Sequence, residues 1–221
     1  MKKTILNLAM TAMVSIFMLS PVSQQIAYAQ LSKAQEKKLQ KERNKEYQKK
    51  IKEYKKENWK LSGSSRTIEV ALLEHYKKFA DEQNKEFVGE VSQCKSINVC
   101  KQFALTNAQN RYASLASGNV KGRITSMLRA DANMPEVEID KFIAAYENEV
   151  KAEISGVLTE SYSIIRDNGA TKEYKTFFIL NEEKANAARA RALERSLRET
   201  KISIMEAQEI SKFVNEGFNL E

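Results

Sequence analysis

VLTESYSIIRDNGATKEYKTFFIL, residues 157–180, is the stretch of sequence that decides the fold. Its two halves, Val157 to Arg166 and Glu173 to Leu180, are rich in β-branched and aromatic residues, which favour strands. Between them stands Asp167-Asn168-Gly169, and Asn-Gly is among the strongest short-range signals of a hairpin turn. The sequence therefore predicts an antiparallel β-hairpin here.

Helical patterns precede the hairpin. From Ile97 onward, small and aromatic residues recur at helical spacing until Gly118, where we expect the helix to stop. The segment 118–122 then serves as an interhelix turn. A second helix opens at Met134, with a proline in its first turn, and Gly156 closes it. Two helices are thus predicted between the hairpin and the preceding strand.

Further elements lie at the two ends of this region. Residues 67–82 have the spacing of an amphipathic helix, which Ser65 can cap. Residues 86–93 alternate in the manner of a short strand. After the hairpin, Asn181 is expected to cap a long helix that runs from Glu182 toward Val214.

The order of these elements predicts an α+β fold. It consists of a small antiparallel sheet with a hairpin, packed by helices on one face and preceded by a long basic N-terminal helix. Phe177 and Phe178 should point to opposite faces of their strand, so that one lies in the core and the other belongs to a contact surface.

The same residues carry a resemblance. A helix with small residues at Ala104, Ala108, Ala113 and Ala116 is followed by a second helix and then by two strands, ESYSI at 160–164 and YKTFFI at 174–179. Over roughly residues 86–192 this order resembles the bacterial envelope family that includes a Helicobacter surface lipoprotein and the N-terminal domain of flagellar assembly protein T. The resemblance implies an α+β fold and an envelope location, without a common catalytic site. The lipid-attachment cysteine of the lipoprotein branch is absent here, and no other feature suggests a flagellar role.

The first 29 residues have the three parts of a secretory signal peptide. Two lysines are followed by an apolar run from Ile5 to Leu19, which is shorter than the about 20 apolar residues that span a bilayer. Ala27-Tyr28-Ala29 then places small residues where a signal peptidase cuts, before Gln30. We therefore predict an exported chain, periplasmic or secreted, with no transmembrane segment after cleavage. The alternative is an uncleaved membrane anchor.

Basic charge is concentrated in one segment. Residues 31–60 hold 12 basic residues against 5 acidic ones, whereas 22 basic and 24 acidic residues nearly cancel from residue 61 onward. Nucleic-acid binding usually shows as basic residues clustered on a folded face, so we expect no nucleic-acid partner. A change in composition around Gly63 marks the boundary, which gives a signal peptide (1–29), a basic helical extension (30–60) and a single α+β domain (61–221).

The extension lacks glycine and proline from Leu31 to Trp59, and its composition favours a helix. Its few apolar residues include Tyr47, Ile51 and Tyr54 on one face. One interpretation is a helical stalk whose C-terminal end docks on the domain through these residues and Trp59. The other is an electrostatic attachment to an anionic envelope surface. The second assigns surface binding to six lysines: Lys37, Lys38, Lys41, Lys45, Lys49 and Lys50.

The two cysteines lie close together in sequence. Cys94 ends the predicted strand and Cys100 falls in the first turn of the next helix, so the chain reverses between them and their Cβ atoms can approach within about 4 Å. An exported protein meets an oxidising environment in which such a pair persists as a disulfide. We therefore predict a structural disulfide. A redox-active pair, a metal site and two free thiols are the alternatives.

Sites for catalysis and cofactors are scarce. His75 is the single histidine, so neither a hydrolase triad nor a multi-histidine metal site can rest on histidine alone. We expect it at the boundary of its amphipathic helix, beside Glu74. The glycines of 118–122 follow a helix, whereas a phosphate-binding loop follows a strand. No catalytic residue, cofactor or metal ligand is predicted.

Two groups of charged residues have ordinary explanations. Glu149 and Glu153 share a helix face at a spacing of four, which is typical of a solvated surface. Arg191, Arg195 and Arg198 form a basic strip that could bind an anion, but glutamates four residues away neutralise it in part.

The sequence therefore favours an exported, non-catalytic cell-envelope protein, which acts as a binding or structural module for a protein or an anionic envelope surface. The alternative is a periplasmic hydrolase-like or sugar-binding domain that uses carboxylates. Glu160 and Asp140 are its candidates, provided that the fold brings them into a concave pocket with a second titrating group.

Overall fold

The computed structural model of the chain describes residues 21–81, 83–128, 136–200, 208 and 210–214. These residues fall into two units that divide between Lys50 and Ile51. The predicted signal peptide lies mainly on residues 1–20, outside the described residues. The elements are α1 (Pro21–Lys56), β1 (Lys60–Ser62), α2 (Ile68–Phe79), β2 (Asn84–Cys94), α3 (Ile97–Leu128), α4 (Glu136–Ile154), β3 (Thr159–Asn168), β4 (Thr171–Asn181) and α5 (Glu182–Glu199).

The described part of the first unit is helical, because residues 21–50 all belong to α1. Pro21 is the first helical residue, a position where a missing N–H group costs nothing. In the second unit α1 ends before Asn58, which has a φ of +58°. Asparagine tolerates this left-handed conformation better than most residues, and it commonly terminates helices.

The second unit contains a four-stranded antiparallel sheet in the order β1-β3-β4-β2. The predicted hairpin is its centre: β3 and β4 pair from Thr159 to their turn, where Asn168 lies opposite Thr171. Gly169 supplies the positive φ of the turn, +62°. The short strand β1, which the sequence does not suggest, pairs with β3 at Ser163 to Ile165. The predicted α+β class is confirmed.

Helices lie on one face of this sheet. α3 packs against β2 and β4, α5 packs against β4, and α4 packs against α3 and α5. The approach of α3 is closest at Gly89, where a Cβ atom would overlap the carbonyl oxygen of Ala104. Phe87, Phe178 and Leu180 project from the sheet into the resulting core. The apolar stripe predicted for α4 is buried throughout, at Ile139, Phe142, Ile143, Tyr146, Val150 and Ile154.

The structure adds a second layer on the opposite face, beyond the helices expected on one face. α2 packs there against β2 and β3. Phe177 lies beneath it, in contact with His75, while Phe178 points into the core formed with α3. Tyr54 and Trp59 are also buried in this unit. Both phenylalanines are therefore core residues, and the contact surface expected of one of them does not exist.

The prediction that a helix stops at Gly118 is wrong. α3 continues to Leu128 and passes through both Gly118 and Gly122. Each glycine costs a helix interior about 1 kcal/mol relative to alanine. Val120 and Ile124, next to them, are fully buried and belong to the main core, and each such burial contributes about 1.5–3 kcal/mol. Tertiary packing therefore outweighs the local preference.

Two other boundaries differ from expectation. The N-cap of α2 is Thr67 rather than Ser65, since the Thr67 side chain accepts a hydrogen bond from the Val70 amide. α5 begins after the predicted cap Asn181 but ends at Glu199, because Thr200 is in extended conformation. The helix predicted to reach Val214 is thus shorter, and residues 210–214 form a separate described helical segment.

Candidate functional site

The lysines predicted to bind a surface lie on α1. Lys37, Lys41, Lys45 and Lys49 follow one another at a spacing of four, and Lys38 lies beside them. At roughly 100° per residue, all five fall within an arc of about 120° around the helix. All five are exposed. We call these five residues the lysine face.

Lys50 does not share this face. It lies on another side of α1 and forms an ion pair with Glu46 at 4.0 Å. At about 100° per residue, Glu42 and Glu46 lie beyond Lys49, outside the arc of the lysine face. No residue of the lysine face forms an ion pair with a side chain that the structure describes in this segment. The positive charge of this face is therefore presented to solvent.

The two cysteines lie at disulfide distance, with their Cα atoms 5.4 Å apart. Cys94 ends β2 and Cys100 lies in the first turn of α3, as the sequence predicts. Both are buried and pack with Ala104 and Tyr174. This position, at a strand-to-helix junction in the core, suits a structural bridge rather than a reactive thiol, which needs exposure.

His75 is not the boundary residue that we expected, because its side chain is only 1% exposed. Its Nε2 atom lies 2.6 Å from a carboxylate oxygen of Glu86 on β2. Its ring is enclosed by Phe79, Tyr162 and Phe177. Sequence reasoning missed this pair because Glu86 belongs to another element. The adjacent Glu74 instead pairs with Arg66.

Aromatic side chains surround the ring of His75. Its Nδ1 atom is buried and has no hydrogen-bond partner among the described residues. Tyr162 stacks on Phe177 with ring centroids 4.3 Å apart, and its hydroxyl lies 3.0 Å from that of Tyr54. Burial raises the pKa of Tyr54 to about 12 and also raises that of Tyr162. Both phenols are therefore uncharged at neutral pH. Through Tyr54, His75 and Tyr162, the cluster joins the end of α1 in the second unit, α2 and the sheet.

A second buried polar cluster surrounds Arg189 of α5. Its guanidinium donates hydrogen bonds to the Tyr112 hydroxyl at 2.5 Å and to the Glu182 carboxylate at 2.6 Å. Burial disfavours the charged guanidinium, but Tyr112 and Glu182 outweigh this effect and raise the pKa of Arg189. The sequence offered one signal: Arg189 falls four residues after Ala185 on the buried stripe of its helix. The cluster ties α3 to α5.

The glutamates predicted to form a solvated surface pair with the arginine strip across two helices. Glu153 of α4 contacts Arg191 at 2.7 Å and Arg195 at 2.8 Å, and Glu149 contacts Arg195 at 3.2 Å. Arg198 pairs with Glu194 of its own helix. The arginine strip is thus neutralised mainly by α4.

The two carboxylates of the alternative function are engaged separately. Glu160 bonds Lys101 at 2.8 Å and accepts from the Ser163 hydroxyl at 2.7 Å. Asp140 forms an exposed ion pair with Lys121 at 2.8 Å. None of these direct contacts of Glu160 or Asp140 joins it to a second acid or a histidine.

The described residues lack two further features, a metal site and a membrane-spanning helix. Three or more His, Cys, Asp or Glu side chains do not converge as a metal site would require in this part of the chain. Among the described helices, none has both the length and the apolar composition needed to cross a bilayer.

No protein-family model matches the chain, and neither a curated protein nor a solved structure is significantly similar to it. The resemblance to the envelope family therefore stays a prediction.

Proposed function

We propose that this protein is an exported, non-catalytic binding module of the bacterial cell envelope, which attaches to an anionic surface through the lysine face. The lysine face itself carries the proposal, because it presents five exposed lysines without an ion pair to a described side chain. Each lysine near an anionic surface contributes about 1 kcal/mol of binding. The attachment is therefore weak per residue and cumulative along the helix.

Export to the periplasm or the exterior is supported by two features. The first is the charged, apolar and small-residue pattern of residues 1–29, with cleavage before Gln30. The second is the cysteine pair at disulfide distance, since disulfides persist mainly in oxidising compartments. A non-catalytic role is supported by the titratable groups described above, because His75 and Arg189 are engaged in contacts that hold helices and sheet together.

The test is co-sedimentation of the mature chain with isolated bacterial envelope at low salt. Truncation at Leu61 is unsuitable, because it would remove Ile51, Tyr54 and Trp59 from the core of the second unit. Substitution avoids this problem, since glutamine has nearly the helix propensity of lysine. The four-lysine variant carries Lys37→Gln, Lys41→Gln, Lys45→Gln and Lys49→Gln.

A matched control loses the same charge from exposed positions of the second unit. We expect the wild type and this control to sediment with the envelope and the four-lysine variant to stay in the supernatant. Equal sedimentation of all three proteins would contradict the proposal. The control variant carries Lys77→Gln, Lys85→Gln, Lys95→Gln and Lys184→Gln.

A further inference from the structure

The lysine face has an unusual uniformity of charge. Six of the seven basic residues between positions 37 and 50 are lysines, and the one arginine, Arg43, lies about 120° around the helix from the edges of the lysine face. Arginine forms the planar, bidentate contacts with which proteins hold a single phosphate or carboxylate. Lysine acts as a compact, strongly hydrated point charge. From Lys37 to Lys49 the face extends about 18 Å along the helix at about 1.5 Å per residue. A row of lysines of this length can contact many anions spread over a surface, whereas one enclosed ligand would contact only a few of them.

The same segment lacks the apolar band of an inserting helix. A helix that buries itself in a membrane interface carries Trp, Phe or Leu along the side opposite its charges. Between residues 37 and 50 the only apolar residues are Leu39 and Tyr47. Farther along, Ile51 and Tyr54 are buried in the second unit. The residues that could enter the acyl region are therefore too few or already engaged.

The features that favour a nucleic acid are missing as well. Proteins that hold single strands combine positive charge with aromatic side chains on which bases stack. Between residues 37 and 50 the only aromatic residue is Tyr47 and the only arginine is Arg43, and at about 100° per residue both lie outside the arc of the lysine face. Positive charge alone is sufficient for attraction to a plane of anionic phospholipid headgroups. Such a plane is present wherever an exported protein meets the bacterial membrane.

From these observations we propose that the lysine face binds the headgroup plane of an anionic phospholipid membrane by charge alone, with the helix segment 37–49 lying along the surface and no side chain entering the acyl region. This inference rests on the proposed function and names the surface that the module contacts. The contact is peripheral and reversible, and its range is about a Debye length.

The experiment uses the mature full-length chain and defined vesicles. We expect the wild type and the control variant to sediment with phosphatidylcholine–phosphatidylglycerol vesicles at low salt but not with pure phosphatidylcholine vesicles. The four-lysine variant should bind at least about tenfold more weakly, since each lysine contributes separately. Equal binding of the four-lysine variant and the wild type, or equal binding to neutral vesicles, would overturn the inference.

Vesicle size tests the absence of insertion. Inserted amphipathic helices prefer highly curved membranes, whereas binding by charge depends on headgroup density. We expect equal binding per unit of lipid area to small and large anionic vesicles. A strong preference for small vesicles would show insertion and would contradict binding by charge alone.

Inorganic polyphosphate separates this inference from the proposed function. If the wild type binds isolated envelope and polyphosphate, but not anionic vesicles, the ligand is a phosphate polymer, so the lipid inference fails while the proposed function stands. If it binds none of the three, the proposed function fails too.

Discussion

Two glycines have different structural roles, because one lies at a close backbone contact and the other has open space around it. Gly89 lies where α3 crosses the sheet, and an added Cβ would overlap the Ala104 carbonyl oxygen. The overlapping atoms belong to the backbone of α3, which cannot move away as the end of a flexible side chain can. Gly89→Ala should therefore lower the free energy of unfolding by about 3 kcal/mol, at the upper end of overpacking effects. Urea unfolding of the variant measures this loss.

The matched substitution is Gly118→Ala, at a helical glycine where an added Cβ atom would meet no other atom within 4 Å. Alanine is the better helix former, so this variant should gain about 0.5–1 kcal/mol. If Gly89→Ala left the unfolding midpoint unchanged or raised it as Gly118→Ala should, the close approach of α3 to Gly89 would be wrong.

Buried tyrosines set the response of the protein to alkali. Burial raises the pKa of Tyr54 and of Tyr112 to about 12, compared with about 10 in an unfolded chain. The folded chain therefore keeps protons that the unfolded chain releases above about pH 10. Stability from these groups is complete below about pH 10 and is lost as the pH rises toward 12.

Tyrosinate absorbance and urea unfolding, both followed with pH, check this prediction. The absorbance should rise in at least two phases, with the later one accompanied by a falling free energy of unfolding. Ionisation of every tyrosine in one phase near pH 10, with the fold intact, would show that Tyr54 and Tyr112 are exposed.

At the scale of elements, the junction between β2 and α3 depends on Cys94 and Cys100. Closing a loop of about seven residues should stabilise the fold by about 2 kcal/mol, on the chain-entropy estimate. Reduction of the wild type should lower its unfolding midpoint accordingly, and the double variant Cys94→Ser/Cys100→Ser should not respond to reductant. A wild type equally insensitive to reductant would show that the bridge does not form.

The contact between α4 and α5 includes an ionic arrangement whose strength is testable. Glu153 is only 11% exposed and contacts both Arg191 and Arg195. Glu153→Gln should lower the free energy of unfolding by about 1–2 kcal/mol, because the largely buried carboxylate loses its charged hydrogen bonds to the arginines. Glu194→Gln breaks an exposed pair within α5 and should change stability by less than about 0.5 kcal/mol. Thermal unfolding of both variants compares the two pairs, and equal effects would contradict this difference.

The sequence predicts those elements whose signals are local. The hairpin follows from Asn168-Gly169 between two β-rich runs, and the buried face of α4 follows from its spacing. The course of α3 through Gly118 was missed, because packing of distant residues decides it. The His75–Glu86 and Arg189–Tyr112 contacts were missed for the same reason: their partners belong to other elements, and spacing along one element cannot identify them.

The whole molecule contains a folded unit of packed helices and sheet, and a helical segment that carries positive charge. In the folded unit, the buried polar groups around His75 and Arg189 contact one another within each cluster. The lysine face on α1 leaves its charges exposed. The part of the candidate site that could be predicted from sequence is this charge, because composition alone reveals it. The arrangement of five lysines in one arc depends on the helix.

Attachment through the lysine face can be tested by the salt dependence of binding to isolated envelope. Between about 0.1 M and 1 M salt the Debye length shortens from about 10 Å to about 3 Å, which weakens contacts between exposed charges. We expect the binding constant of the wild type to fall steeply over this range, while the four-lysine variant binds weakly throughout with a shallow dependence. Equal slopes for the two proteins would show that the lysine face does not make the contact.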